Sequence, residues 1–314
     1  MADAEPLRVI CGPTGAGKSA LAMQLAMSRA RNDPITIVSA DSRQVYRGFD
    51  IGTAKPTASE QCAVPHRGID VVAPTDRYSA ARWADSARTW IAEACAQGRT
   101  PLLVGGAGLY LGALTEPLFD EPALDPARRA ALEELLESFS VAELRRWCEG
   151  LDQARAHLGR TQLLRAITIA LLSGAPISAW HARAPRAAGL AVRYLVVDPG
   201  AALTARLDAR MNVMLELGWE REVEALARTV PGDAPAWNGT GYRWIRAAVT
   251  KECSREHALE RVRIETRQYA KRQRTWFRHQ LPPERVTQLD PASPGALDHA
   301  MRWWNSTDDG GVLA

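Results

Sequence analysis

The chain has 314 residues, 46% of them hydrophobic and 24% charged, enough to bury one large core with a smaller appended lobe. No apolar run approaches the roughly eighteen residues of a membrane span, and residues 1–6 lack a basic segment followed by an apolar core, so a cytoplasmic protein is expected. The five cysteines (Cys11, Cys62, Cys95, Cys148, Cys253) are too widely spaced for structural zinc and read as reduced thiols, while the net charge of +3 matters through its distribution.

An apolar run, residues 7–11, predicts a strand; residues 20–26 carry a helical pattern. Between them lie Gly12, Pro13, Thr14, Gly15, Ala16, Gly17, Lys18 and Ser19, the spacing of a P-loop. The glycines let backbone N–H groups turn inward on a diphosphate, and the helix opening near Lys18 adds the positive end of its dipole. Lys18 is placed to meet the terminal phosphates, and the Ser19 hydroxyl to ligate Mg²⁺.

Residues 34–40 predict a second strand, with Asp41 at its carboxyl end, where open α/β sheets put their ligand crevice. Asp41 is a base facing the cradle or a turn residue bonding its own backbone. The loop GFDIGTAKP (residues 48–56) could fold over the same site, with Lys55 as a weaker candidate. An amphipathic helix is predicted over 79–96 and a third strand over 101–104, so strands alternate with helices as in a parallel α/β sheet.

From about residue 115 the pattern becomes helical throughout: 125–137, 141–150 and 161–173 are predicted helices with no strand between them. Residues 190–199 restore a strand, and helices follow over 202–217 and 221–229. The expected fold class is therefore α/β, a P-loop parallel-sheet core made of residues 1–114 and 190–314, with an inserted all-helical domain at 115–189. On the 202–217 helix, Arg206 and Arg210 lie four apart on one face, as phosphate ligands or as solvated charges.

The densest basic stretch, residues 261–279, has Val262, Tyr269, Trp276 and Phe277 at roughly helical intervals, which predicts a helix with one buried stripe and a cationic remainder. That remainder is a solvated face or a nucleic-acid contact. Near the end, Trp303 and Trp304 are expected to pack the tail onto the core, ahead of a short polar tail at 305–314.

Taken together, GPTGAGKS (12–19), SADSRQVYRGFDIGTAKP (39–56), VPHRGID (64–70), LLVGGAGLYLGAL (102–114), the Arg165-Ala166-Ile167 helix with SGAPIS (173–178) and TRQYAKRQRTWFR (266–278) resemble the tRNA dimethylallyltransferases, also called tRNA isopentenyltransferases. The resemblance runs over nearly the whole chain in the family's order. It implies transfer of a dimethylallyl group from dimethylallyl diphosphate to the exocyclic amine of the adenosine immediately 3′ of the anticodon, with the P-loop holding a prenyl diphosphate rather than ATP. It also implies that Asp41 accepts the amine proton and that Lys18, Ser19, Mg²⁺ and Arg210 hold the leaving diphosphate.

Also implied are tRNA contacts at Asp41, Ser42, Arg43, Gln44, Ala107, Thr161, Gln162, Arg165, Gly241, Tyr242, Arg243 and Arg274, with the helical insertion and the basic helix gripping the anticodon stem-loop of a monomeric, non-membrane enzyme. Two positions depart from the family pattern: Ala107 stands where threonine is usual, and Thr161-Gln162 where a Gln-Arg pair is usual. Two other functions share parts of this pattern: prenylation of a free adenine nucleotide, and a P-loop nucleotide kinase or RNA-binding protein. The insertion and the basic helix favour tRNA over a small acceptor.

Overall fold

The structure, a computed structural model, describes residues 6–115, 122–183 and 190–306. Strand β1 (Leu7–Cys11) leads through the glycine-rich turn into α1 (Lys18–Arg29), and β2 (Ile35–Ala40) is followed by α2 (Ala58–Ala63), the two-residue β3 (His66–Arg67) and α3 (Ala80–Ala96). Strand β4 (Thr100–Gly105) runs into α4 (Gly108–Thr115). Four helices come next: α5 (Pro126–Glu137), α6 (Val141–Leu151), α7 (Arg160–Ser173) and α8 (Ile177–Arg183). The chain then forms β5 (Val192–Val197), α9 (Leu203–Glu216), α10 (Trp219–Ala227), α11 (Tyr242–Val249), the long α12 (Arg255–Gln280), β6 (Val286–Leu289) and α13 (Ala296–Asn305).

Residue contacts divide the chain into two units, Met1–Thr115 with Leu190–Ala314, and Glu116–Gly189. The ends of the helical segment, at 116–121 and 184–189, lie outside the described residues, as do residues 1–5 and residues 307–314 of the expected polar tail.

The first unit is built on a six-stranded sheet, order β3-β2-β4-β1-β5-β6, every pairing parallel. Parallel strands are covered on both faces, which is why β1, β2 and β5 read as nearly continuous apolar runs. Alternation sorts their side chains between two cores. Val9, Cys11, Val38, Leu103 and Val196 join Trp83, Tyr110 and Trp219 on one face. Ile10, Ile37, Leu102, Val104 and Leu195 join Leu21 and Leu25 of α1 with Trp303 and Trp304 of α13 on the other.

The terminal tryptophans pack as expected. Trp304 donates to Asp33 Oδ2 at 3.0 Å, its carbonyl accepts the Arg8 Nε–H at 3.0 Å, and the Arg8 guanidinium stacks on its ring. The sequence reading did not set out the strands β3 and β6, nor the helices α2, α4, α8, α11 and α13. β3 has two residues and β6 four, and β6 keeps one fully buried residue, Leu289, so the periodic signal is too short to detect.

The second unit holds its own small core, in which Leu136, Leu144, Cys148, Leu163, Ile167 and Ile177 are buried among α5 to α8. Two of its helices start on legible caps: Asp125 accepts the Arg128 N–H, and Ser140 forms a capping box with Glu143. All elements among the described residues of this unit are helical.

Candidate active site

The glycine-rich turn leaves the sheet at the carboxyl end of β1. A Cβ on Gly12 would stand 2.2 Å from the Val197 carbonyl oxygen, so only glycine lets the turn pass beside β5. Helix α1 begins at Lys18 on the left-handed Gly17 without a side-chain cap, which leaves its first-turn N–H groups for an anion. Ser19 is exposed in that turn.

Lys18 folds back and donates to the Pro13 carbonyl at 2.7 Å. Burial and then the nearby Arg210 charge lower its ammonium pKa to about 8, against the opposing pull of Asp41 and Cys11. Burial pushes the Cys11 thiol well up, so it stays protonated.

Asp41 follows β2, and β4 lies between β2 and β1, so the acid and the cradle share the carboxyl edge of the sheet. The turn reading of Asp41 is met, and its carboxylate also faces the cationic edge. One carboxylate oxygen accepts the Arg43 N–H at 2.8 Å, closing a turn, and the charge also acts on Lys18, Arg210 and Tyr269. Burial lowers the Arg210 guanidinium pKa while Asp41 holds it up. Arg210 on α9 therefore lies within electrostatic reach of Lys18 and Asp41. One turn earlier, Arg206 donates to the Gly15 carbonyl at 3.1 Å. The reading that left these arginines solvated is set aside.

Several expected contacts sit elsewhere. Ser42 and Arg43 are half-buried beside Asp41, but Gln44 is buried and serves as an internal bracket. Its Oε1 accepts from the Ser39 hydroxyl at 2.9 Å and its amide donates to the Thr53 and Ala54 carbonyls. A base cannot reach it without breaking that set. Lys55 likewise is consumed by Asp50, Asp70 and the Tyr46 carbonyl, so it ties down its loop rather than aiming at the cradle.

Tyr242 is fully buried, and its hydroxyl donates to Glu222 at 2.7 Å. Gly241 caps α11 in a left-handed conformation, where a Cβ would meet Trp219 at 2.6 Å. Both are structural, which corrects their assignment to RNA. Arg243 is exposed and paired with Glu265. Arg274 is turned onto Asp198, meeting both carboxylate oxygens, and onto the Gly200 carbonyl, rather than outward.

The cationic remainder of α12 is likewise partly engaged by its own unit: Arg255 pairs with Glu220, Arg267 with Asp208, and Arg261 lies over Trp244. Ala107 donates its N–H to the Ala40 carbonyl at 3.1 Å, a backbone contact that does not depend on the threonine the family usually carries. In the helical unit, Thr161, Gln162 and Arg165 stand exposed on the first turns of α7.

Two residues of this site were missed by the sequence reading. Gln273, buried on α12, accepts the Thr14 N–H at 2.8 Å and donates to the Gly106 carbonyl at 2.7 Å. Tyr269, one turn earlier, has its hydroxyl pKa pushed up to about 12 by burial and then by Asp41, so it stays neutral beside the acid. The signal was present: positions 262, 266, 269, 273 and 276 recur at three and four residues, and one helical face carried both core and site.

No group of three or more His, Cys, Asp or Glu among the described residues could hold a metal. The donor set, one exposed hydroxyl at a helix start, suits a hard cation that arrives on phosphate oxygens and keeps its waters. None of the described helices is long and apolar enough to cross a membrane.

Such an edge can hold a diphosphate against N–H groups and cations while a carboxylate stands by for a proton. A family model described as IPP transferase matches residues 44–280. Relatives from Burkholderia mallei and Burkholderia pseudomallei, each named tRNA dimethylallyltransferase, are 40% identical over 316 aligned residues, spanning 96% of this chain and 94% of theirs. Among solved structures, the full-length tRNA isopentenylpyrophosphate transferase of Bacillus halodurans is 30% identical with a TM-score of 0.64, covering 96% of this chain and 100% of that one. A eukaryotic dimethylallyltransferase described as acting on tRNA is 26% identical with a TM-score of 0.74, covering 97% of this chain and 77% of that one.

Proposed function

The chain belongs to the IPP transferase family, and from that premise we propose that it moves the dimethylallyl group of dimethylallyl diphosphate onto the N6 amine of the adenosine immediately 3′ of the anticodon in tRNA. The observation that carries this reading is the shared carboxyl edge of β1, β4 and β2, where Lys18, Arg210 and Asp41 act on one another electrostatically.

An aromatic amine is a weak nucleophile, and diphosphate leaves only if its growing charge is met. The N–H groups of the first turn of α1, with Lys18 and Arg210, meet that charge as the allylic C–O bond breaks. The adenine nitrogen attacks the allylic carbon, the new C–N bond forms, and Asp41 takes the proton the nitrogen sheds. The products are the prenylated adenosine and diphosphate. A positioned base contributes about 10²–10⁴ in rate. The base must be turned out of its stack to reach this edge.

Mg²⁺, bound through the Ser19 hydroxyl and the diphosphate oxygens, would neutralise leaving-group charge. Arg206 supports the cradle from outside by holding the Gly15 carbonyl. The exposed Thr161, Gln162 and Arg165 are the positions of the helical unit assigned to RNA.

The test is transfer of label from dimethylallyl diphosphate, with Mg²⁺, to tRNA lacking this modification, with AMP and ATP as competing acceptors. Label at the adenosine beside the anticodon, and a loss of about 10²–10⁴ in the Asp41→Asn variant, is the expected result. Label in AMP would move the activity to a free nucleotide, and no transfer to any acceptor would overturn the reading.

A further inference from the structure

The Thr14 N–H belongs to the turn that should present its amides to a diphosphate, yet it donates to Gln273 Oε1 at 2.8 Å. The other end of the same carboxamide donates to the Gly106 carbonyl at 2.7 Å. Only one orientation of the amide satisfies both partners, since one needs an acceptor and the other a donor. Gln273 is almost wholly buried, and a Cβ on Gly106 would stand 2.3 Å from its Nε2, so the β4–α4 turn is shaped around this side chain.

The bridge continues. The residue after Gly106, Ala107, donates its N–H to the Ala40 carbonyl at 3.1 Å, and Ala40 precedes Asp41. One side chain of α12 thus stands in a continuous chain of contacts from the cradle of β1, across the end of β4, to the end of β2.

We propose that Gln273 is a positioning residue for the transfer: its carboxamide fixes the spacing between the diphosphate cradle and Asp41. The carbon that is attacked hangs from the diphosphate, and the proton that is lost goes to Asp41, so this spacing sets whether both events can occur in one geometry. Misplacement by about 1 Å costs on the order of 10²-fold. Gln273 does not touch the reacting atoms.

The inference rests on the prenyltransferase reading, and the experiment separates the two. Transfer to unmodified tRNA is measured for wild type, Gln273→Leu and Gln273→Glu between pH 6 and 8, with kcat and both KM values, alongside melting curves. In Gln273→Leu, kcat should fall about 30- to 100-fold, with KM for tRNA within twofold of wild type and the folded fraction unchanged.

Gln273→Glu has a second readout. Ionised, its carboxylate faces the Gly106 carbonyl with no hydrogen to give; protonated, it reproduces both bonds of the glutamine. Its kcat relative to wild type should therefore climb as pH falls toward 6. An active wild type with Gln273→Leu within threefold of its kcat, or a loss that tracks unfolding, or a loss confined to KM for tRNA, would overturn the inference alone. A wild type that transfers nothing would remove the reading and the inference together.

Discussion

Glu222 is the clearest place to test how the loop between β2 and α2 is held. Its Oε2 accepts the N–H groups of Asp50 at 3.0 Å and Ile51 at 2.6 Å, and its Oε1 accepts the buried Tyr242 hydroxyl at 2.7 Å. Glu222→Ala leaves two of these donors, those of Ile51 and Tyr242, away from water, while the exposed Asp50 N–H rehydrates. At about 1–3 kcal/mol for each stranded group, the loss is roughly 2–6 kcal/mol. Tyr242→Phe removes one bond and strands one carboxylate oxygen at the edge of the core, about 1–2 kcal/mol.

Because the two residues share a bond, the double variant should cost less than the sum, with a coupling of about 0.5–3 kcal/mol. Denaturant unfolding followed by tryptophan emission reports on this region, since Trp219 and Trp237 both pack against Tyr242. Hydrogen exchange at the Ile51 amide gives the local readout and should accelerate in Glu222→Ala. Additive single costs, together with unchanged exchange at Ile51, would refute the role of Glu222 as the anchor of this loop.

Lys18 carries its charge below about pH 8, so kcat/KM for the allylic diphosphate should fall as pH rises through about 8; a profile flat to pH 9.5 would count against a charged Lys18 in binding. Trp304→Ala should cost about 3–5 kcal/mol in equilibrium unfolding, because it empties a buried site and strips partners from Asp33 and Arg8. Gly108→Ala places a Cβ 2.2 Å from the Trp276 ring, and should lower stability by about 1–3 kcal/mol or more by pushing α12 off α4, seen as a lower melting temperature.

The cradle and the strands around it were legible because their chemistry is local: a glycine pattern, an apolar run, and an acid just past a strand end. Helix starts fell within a residue at the caps Ser79 and Asp125, but the Ser254 cap went unread and α12 begins six residues before the basic stretch. Tertiary partnership left no such trace. Tyr242 looks like an RNA-facing aromatic in its Gly-Tyr-Arg setting, and only the fold brings Glu222 to its hydroxyl and Trp219 to its ring. Arg274 looks free within a basic run until β5 delivers Asp198 to it. Gln273 was passed over for the converse reason: a polar residue on an apolar stripe gains meaning only once two turns from distant strands arrive at its amide.

The placement of β1 has a consequence for the nascent chain. Val9 pairs with Leu103 on one side and Tyr194 on the other, and Arg8 meets its tryptophan only when α13 exists. At roughly 5–20 residues per second the ribosome needs about 9–37 s to travel from Val9 to Tyr194, and throughout that time β1 has at least one edge unpaired. The segment proposed to hold the diphosphate is thus made well before the strand and the helix that enclose it. In vivo yield should therefore depend on chaperone capacity more than the stability of the finished fold would suggest.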